Sequence, residues 1–177
     1  MADLTSALAS HVDLEKVHTN NERVESLTAV VREMVKGIVD EACSELDEYM
    51  ALIDKILRDA ETPVSDAELE DFTLNLPSLL YIVSARREAL KVKEDVAKAV
   101  HKDVYNRVRE KSQGTVADKD TAADLAAQSE AITVIVLQRA GSTIKTREEA
   151  AWEMLNSVKK VLTRRTAELE LTRQTGG

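Results

Sequence analysis

The stretch Val24–Ile56, VESLTAVVREMVKGIVDEACSELDEYMALIDKI, decides the fold class. Its apolar residues fall at Val24, Leu27, Val31, Met34, Ile38, Ala42, Leu46, Tyr49, Ile53 and Ile56, in steps of three and four throughout. That spacing keeps one stripe on one side of an α-helix, whereas a strand would scatter it over both faces. Asn20 or Asn21 is expected to cap the start, and Gly37 inside the pattern costs about 1 kcal/mol relative to alanine. A helix of about 37 residues spans some 55 Å at about 1.5 Å per residue. A compact globule cannot cover so long a seam, so partner helices are expected. Cys43 lies near the seam and reads as a core residue rather than a reactive thiol.

The rest of the chain agrees with a helical protein. Five glycines, two prolines, one Phe and one Trp among 177 residues leave few turn formers and few of the aromatics on which sheets draw. Hydrophobic residues at 44% suffice for a folded core. No apolar run reaches the roughly 18–20 residues of a membrane helix. The opening MADLTSALASHVDLEK has neither a basic n-region nor a continuous apolar h-region. The single cysteine cannot form an internal disulfide. Together these features predict a cytoplasmic protein without a membrane anchor.

Downstream, DAETPVSD (Asp59–Asp66) is a break marked by Pro63, and Ser65 with Glu68 forms a capping box for the next helix. The pattern predicts a short helix from Asp66 to about Asn75, a new or kinked helix after Pro77, and a long helix from Ser78 to about Lys111. Gly114 in Ser112-Gln113-Gly114 stops that helix, with a left-handed C-cap expected there. Thr115–Asp118 leads into a further helix, whose apolar face is expected from Ala122, Leu125, Ala126, Ile132, Val136 and Leu137. The run AITVIVL (Ala131–Leu137) is apolar nearly all round and is expected to be the best-buried stretch. Gly141 and Ser142 should bend or split this helix, after which Ile144, Ala151, Leu155, Val158, Leu162 and Leu169 give a further stripe. Phe72 and Trp152 are expected as core or interface anchors.

The expected architecture is all-α: long amphipathic helices forming an antiparallel hairpin or bundle with coiled-coil character, assembled into an oligomer. Residues 1–60 form an acidic N-terminal region and oligomerisation arm, residues 61–77 a Pro-marked break with a short helix, and residues 78–177 a basic helical hairpin.

Charge is distributed unevenly. Residues 1–72 hold 18 acids against 6 bases, and residues 73–177 hold 14 acids against 18 bases. Such a division suits self-assembly by charge pairing, a polyanion-binding region beside an acidic regulator, or merely solvated helix faces. Within Arg86–Lys111 there are nine bases and five acids. On a helical projection Arg87, Lys91, Lys98, Lys102 and Arg109 gather on one side with Tyr105, opposite Ala89, Val96, Val100 and Val104. Steps of four and seven make a straight basic stripe, suited to tracking phosphates, with Tyr105 placed to stack a base. Lys145, Arg147, Lys160 and Arg164 supply a second basic region. The bland alternative is a solvated face in which Glu94 and Asp95 pair with Lys91 and Lys98.

Catalytic and metal chemistry find no pattern to stand on. His11, His18 and His101 are scattered, Cys43 stands alone, and neither HExxH nor CxxC occurs. Glu148 and Glu149 are helix neighbours pointing about 100° apart. Gly141-Ser142-Thr143 lacks the surrounding glycines and lysine of a P-loop. No enzyme, metal or cofactor is expected.

Four stretches carry a family resemblance: LNLPSLLYIVSARREAL (74–90), VKEDVAKAVHKDVYNRV (92–108), GTVADKDTAADLAAQSEAI (114–132) and EEAAWEMLNSVKKVLTRR (148–165). A basic helix, a Gly-containing break and a final long helix ending in bases resembles the order in phage recombination mediators of the UvsY type, over about half the chain. GTVADK and SVKKVL also resemble small helical proteins encoded among phage replication and recombination genes. The resemblance implies a homo-oligomeric helical ring in the host cytoplasm that binds single-stranded DNA. It further implies a role in loading a recombinase onto strands coated by single-strand-binding protein. Carried over by position, the DNA-binding residues are Arg87, Lys91, Lys98, Lys102 and Arg109, with Lys145 and Arg147 from the second region. The acidic first helix has no counterpart in that family. The rival expectation is a structural or adaptor assembly protein, of scaffolding type, whose basic stripe pairs with its own acidic half.

Overall fold

The computed structural model describes residues 14–59, 61 and 63–175, and side chains from residue 18 to residue 174. Four α-helices account for nearly all of them: α1 Leu14–Arg58, α2 Asp66–Lys111, α3 Val116–Ala126 and α4 Gln128–Thr175. No strand occurs among the described residues, and no helix there is long and apolar enough to cross a membrane.

Local signals set most helix ends. Ser65 Oγ accepts from the Glu68 amide at 3.2 Å while the Glu68 carboxylate accepts from the Ser65 amide at 2.7 Å, the reciprocal box read from the sequence. Those hydrogen bonds hold the Glu68 carboxyl below its ordinary range. Ser65→Ala removes the hydroxyl that accepts from the Glu68 amide while keeping the amide that donates to the Glu68 carboxylate, and urea unfolding is expected to show a loss of about 1 kcal/mol. At the other end of α2 the cap falls on Ser112 rather than Gly114: its backbone is extended and its amide donates to the Val108 carbonyl, while Gly114, two residues on, adopts φ +114°. A Cβ at Gly114 would stand 2.9 Å from Asp118 Oδ2, the carboxylate that caps α3 together with Thr115.

Four boundaries differ from expectation. α1 begins at Leu14, so Asn20 and Asn21 lie within it and do not cap it; residues 1–13, part of the expected weak leading segment, are outside the described residues. α2 runs unbroken through Pro77, merging the expected short helix with its successor. Proline at that position costs the fold one amide donor, leaving the Thr73 carbonyl without its helical partner. Burial of Phe72, Leu76, Leu80 and Val83 on both sides of Pro77 offsets that loss. α4 likewise continues through Gly141. The break between helices falls instead at Ala127, between α3 and α4, where φ −93° and ψ 8° still let the Ala127 amide donate to the Ala123 carbonyl.

The core joins the C-terminal half of α1, the N-terminal half of α2 and the middle of α4. Leu46, Ile53, Leu69, Leu76, Ile144, Leu155 and Val158 are its most enclosed side chains, and Cys43 and Phe72 are buried in the same cluster. Phe72 meets Tyr49 edge to face, with ring centroids 6.2 Å apart. Along α2 and α4, Arg165 meets Asp66, Arg87 meets Glu148 and Leu90 approaches Gly141, so rising numbers on one helix face falling numbers on the other.

Burial thins away from this centre. AITVIVL is not the best-buried stretch: only Val136 is fully enclosed, and Ile135 is half exposed. Residues 18–30 of α1 are exposed rather than packed on this part of the bundle, so α4 has fewer helices against which to pack. Leu125 and Leu169 are exposed, and Ala123 and Ala127 take the inward places on α3 and at its end. Trp152 is half exposed rather than a core anchor.

Candidate nucleic-acid interface

The second half of α2 is rotated relative to the projection made from sequence: Lys91, Lys98, Lys102 and Arg109 are exposed and Val104 is half-buried as expected, but the other apolar positions of that projection are not enclosed. Val92, Val96 and Val100 point outward, at 64%, 57% and 48% exposure, and Ala89 is exposed beside them. Arg87, Glu94, His101 and Tyr105 lie half-buried toward α3 and α4. The correction has a physical cause. Arginine and tyrosine carry long stems able to cover apolar surface while their polar ends find partners, and here Glu148 on α4 meets Arg87 and Asp120 on α3 meets Tyr105 and Arg109.

Most of the expected basic stripe is accordingly ion-paired. Arg87 Nε lies 3.3 Å from Glu148 Oε2, and its terminal nitrogen lies 3.5 Å from Glu88. Lys98 Nζ is 2.5 Å from Glu94 Oε1 and 3.8 Å from Asp95, a contact that raises the lysine pKa and lowers that of Glu94. Arg109 Nε is 2.5 Å from Asp120 on α3, and the Tyr105 hydroxyl donates to the same carboxylate at 3.2 Å. Burial, then that hydrogen bond, pushes the Tyr105 pKa up. Lys91 and Lys102 remain exposed.

In the second basic region, Lys145 is exposed and lies 3.6 Å from Glu149. Arg147 turns the other way, toward α1, where it pairs with Asp47. Lys160 is exposed, and Arg164 meets Glu168 at 2.8 Å on its own helix. These last two lie about 22–28 Å from Lys145 along α4, at about 1.5 Å per residue, too far to share a site with it.

Three of the ten expected residues do converge. Arg87 and Lys91 from α2 and Lys145 from α4 line an open groove of about 790 Å³ between the two helices, joined by Arg139, which the sequence reading did not single out. Glu88 and Glu94 also line it, so four cations face two carboxylates. Ser142 and Gly141 form part of the α4 wall, where small side chains leave the space open. Arg139 was not legible because it lies off the line of Lys145 on α4; only the approach of α2 makes both part of one groove.

Behind Arg87 stands a buried group that sequence reading also missed. Glu148 is 7% exposed and stands on the buried row Val136, Ala140, Ile144, Glu148, Ala151, Leu155. Its Oε1 has no hydrogen-bond partner, and burial raises its pKa against the opposing pull of Arg87. The signal was present in the sequence as the seven-residue gap between Ile144 and Ala151, where Glu148 takes the intervening place on the stripe. Cys43 is wholly buried, and burial raises its thiol pKa, keeping it protonated and unreactive.

No family model, curated protein or solved structure matches the chain.

Proposed function

We propose that this chain is a non-catalytic accessory protein of phage-type DNA recombination that binds single-stranded DNA phosphates in the α2–α4 groove. The observation that carries this reading is the convergence of Arg87, Lys91, Arg139 and Lys145 from two helices on one open groove. Nucleic-acid affinity of this kind comes mainly from neutralising phosphates, which needs clustered, accessible cations rather than base-specific contacts. The order of elements over residues 74–165, which resembles recombination mediators of the UvsY type, supports the same reading. In this proposal the helices form an antiparallel bundle with coiled-coil character, act as an oligomer in the cytoplasm, and meet a recombinase or single-strand-binding protein through surfaces outside the groove. Lys102 extends the track along α2, whereas Tyr105, Arg109 and Arg147 serve internal pairing.

The test is fluorescence anisotropy with a labelled single-stranded oligonucleotide across several salt concentrations. Lys91→Glu with Lys145→Glu is expected to weaken binding about tenfold or more and to reduce the salt slope by about 1 for each lost phosphate contact. Circular dichroism is expected to stay unchanged, since both lysines are exposed. Wild-type protein that fails to bind at low salt sinks the proposal.

A second reading has its own observation. Arg86 reaches Glu45, Arg147 reaches Asp47 and Arg165 reaches Asp66, each joining a base of the second half to an acid of the first. The charge asymmetry is thus used partly inside the fold, as expected of a structural or adaptor assembly protein. That reading predicts no oligonucleotide binding and an assembly that survives the double substitution.

A further inference from the structure

α1 changes character near Ile38. From Val39 to Ile53 it buries five apolar side chains, whereas every residue from His18 to Val30 is exposed. The apolar row nevertheless continues without a change of register. Val24, Leu27, Val31 and Met34 keep the spacing that carries Ile38, Ala42 and Leu46 into the core, and Val24 and Met34 are 60% and 49% exposed. A helical segment of about 20 residues without tertiary packing is only marginally stable in water, and a contiguous apolar row on it calls for a cover.

A complementary surface begins where α1 departs. Ile38 closes a junction with Ala89, Leu90 and Lys93 of α2 and Ile144 of α4. Immediately beyond, Val92, Val96 and Val100 combine with Thr133 and Leu137 to wall an apolar groove of about 410 Å³, rimmed by Lys93 and Glu130. Below the junction three helices pack together; above it, α1 does not cover this side of the α2–α4 pair.

We infer that a second copy of the chain supplies the missing helix, with its Val24–Met34 row seated in the Val92–Val96–Val100 groove. The lengths agree: Val24 to Met34 covers about 15 Å of helix and Val92 to Val100 about 12 Å. The area agrees as well. The chain exposes 13003 Å², whereas a compact monomer of its 19.6 kDa mass exposes about 8,600 Å². The excess of about 4,400 Å² is several times the roughly 800 Å² that one partner gives to a standard interface, and fits an obligate assembly. The chain's own row does not fill its own groove, because α1 continues as one helix through Gly37 and leaves residues 18–30 exposed. Reciprocal exchange about a two-fold axis satisfies both rows and both grooves at once and closes the assembly. The inference rests on the oligomeric part of the proposal above and is independent of DNA binding.

Light scattering on the full chain tests it with two variants, Leu27→Asp in the row and Val96→Asp in the groove. Each is expected to weaken self-association by about a hundredfold, since a charge enters an apolar contact. An equimolar mixture is expected to recover heterodimers, because the intact row of the Val96→Asp chain meets the intact groove of the Leu27→Asp chain. A protein carrying both Leu27→Cys and Val96→Cys is expected to oxidise to a disulfide between chains, seen as a dimer on a non-reducing gel. An oligomer that neither aspartate variant disturbs overturns this docking while leaving the oligomeric reading standing. Monomeric wild-type protein overturns both, and a disulfide confined within one chain shows that α1 folds back on its own groove and overturns the exchange.

Discussion

Replacing Arg87 with alanine is expected to cost the fold about 3 kcal/mol near neutral pH, the penalty for stranding a buried charge. Arg87 provides the only ion pair to Glu148 found among the described residues, and the two side chains are 28% and 9% exposed. Removing the guanidinium leaves the carboxylate on an apolar row between Ile144 and Ala151, already with one oxygen lacking a hydrogen-bond partner. Urea unfolding of wild type, Arg87→Ala and Arg87→Ala with Glu148→Leu measures the effect. The double variant should recover most of the loss, because a well-packed apolar residue replaces a buried pair at little cost. A single variant within about 0.5 kcal/mol of wild type, the range of an ordinary surface change, would show that water reaches Glu148 freely.

The same group sets a pH dependence whose sign is fixed by its raised pKa. Below the ordinary carboxylate range, Glu148 is protonated in both folded and unfolded chains and adds no slope. As pH rises, the unfolded chain releases this proton first, so the folded state binds more protons and stability falls. The fall ends above the raised folded value. Glu68 and Asp118 act in the opposite sense: capping hydrogen bonds lower their pKa values, so their contribution is present above the ordinary range and lost as pH falls through the lowered one. The difference between wild type and Glu148→Gln therefore isolates Glu148, and the variant's stability relative to wild type is expected to increase across that window. A flat difference refutes the assignment.

The second large effect is expected at Leu46. It is fully buried where α1 meets α2 and α4, and leucine-to-alanine changes at such sites cost about 3 kcal/mol through lost transfer energy and a residual cavity. Here the loss has a further consequence. α1 is held by Val39, Ala42, Cys43, Leu46 and Ile53 alone among its fully buried residues, although it is 45 residues long. Leu46→Ala is therefore expected to loosen α1 as a unit before α2 and α4 part. Hydrogen exchange should accelerate throughout Val39–Ile53 while amides at Leu76–Val83 keep most of their protection. Uniform acceleration in all three helices would show instead that the bundle opens as a single cooperative body.

The sequence by itself determined the features that depend on neighbours in the chain. Steps of three and four from Val24 to Ile56 specify a helix and its apolar row. Ser65 with Glu68 specifies where α2 starts, and Gly114 takes the positive φ just beyond the end of that helix. These are local matters of side-chain direction, amide pairing and backbone sterics. Continuity through Pro77 and Gly141 was not legible, because burial on either side of each residue outweighs a local penalty of one donor or one flexible link. Nor was the rotation of α2, which half-buries Arg87, Val104 and Tyr105 and leaves Val96 and Val100 exposed along with Lys91, Lys98 and Lys102. Periodicity identifies two faces but cannot say which of them other helices will cover. That depended on where α3 and α4 bring Asp120 and Glu148 to meet Arg109 and Arg87. It gathered Arg139 and Lys145 into one groove with Lys91 and left the valines outward. Tertiary packing decided it, because the free energy of burying a face belongs to the pair of surfaces in contact and not to either helix alone.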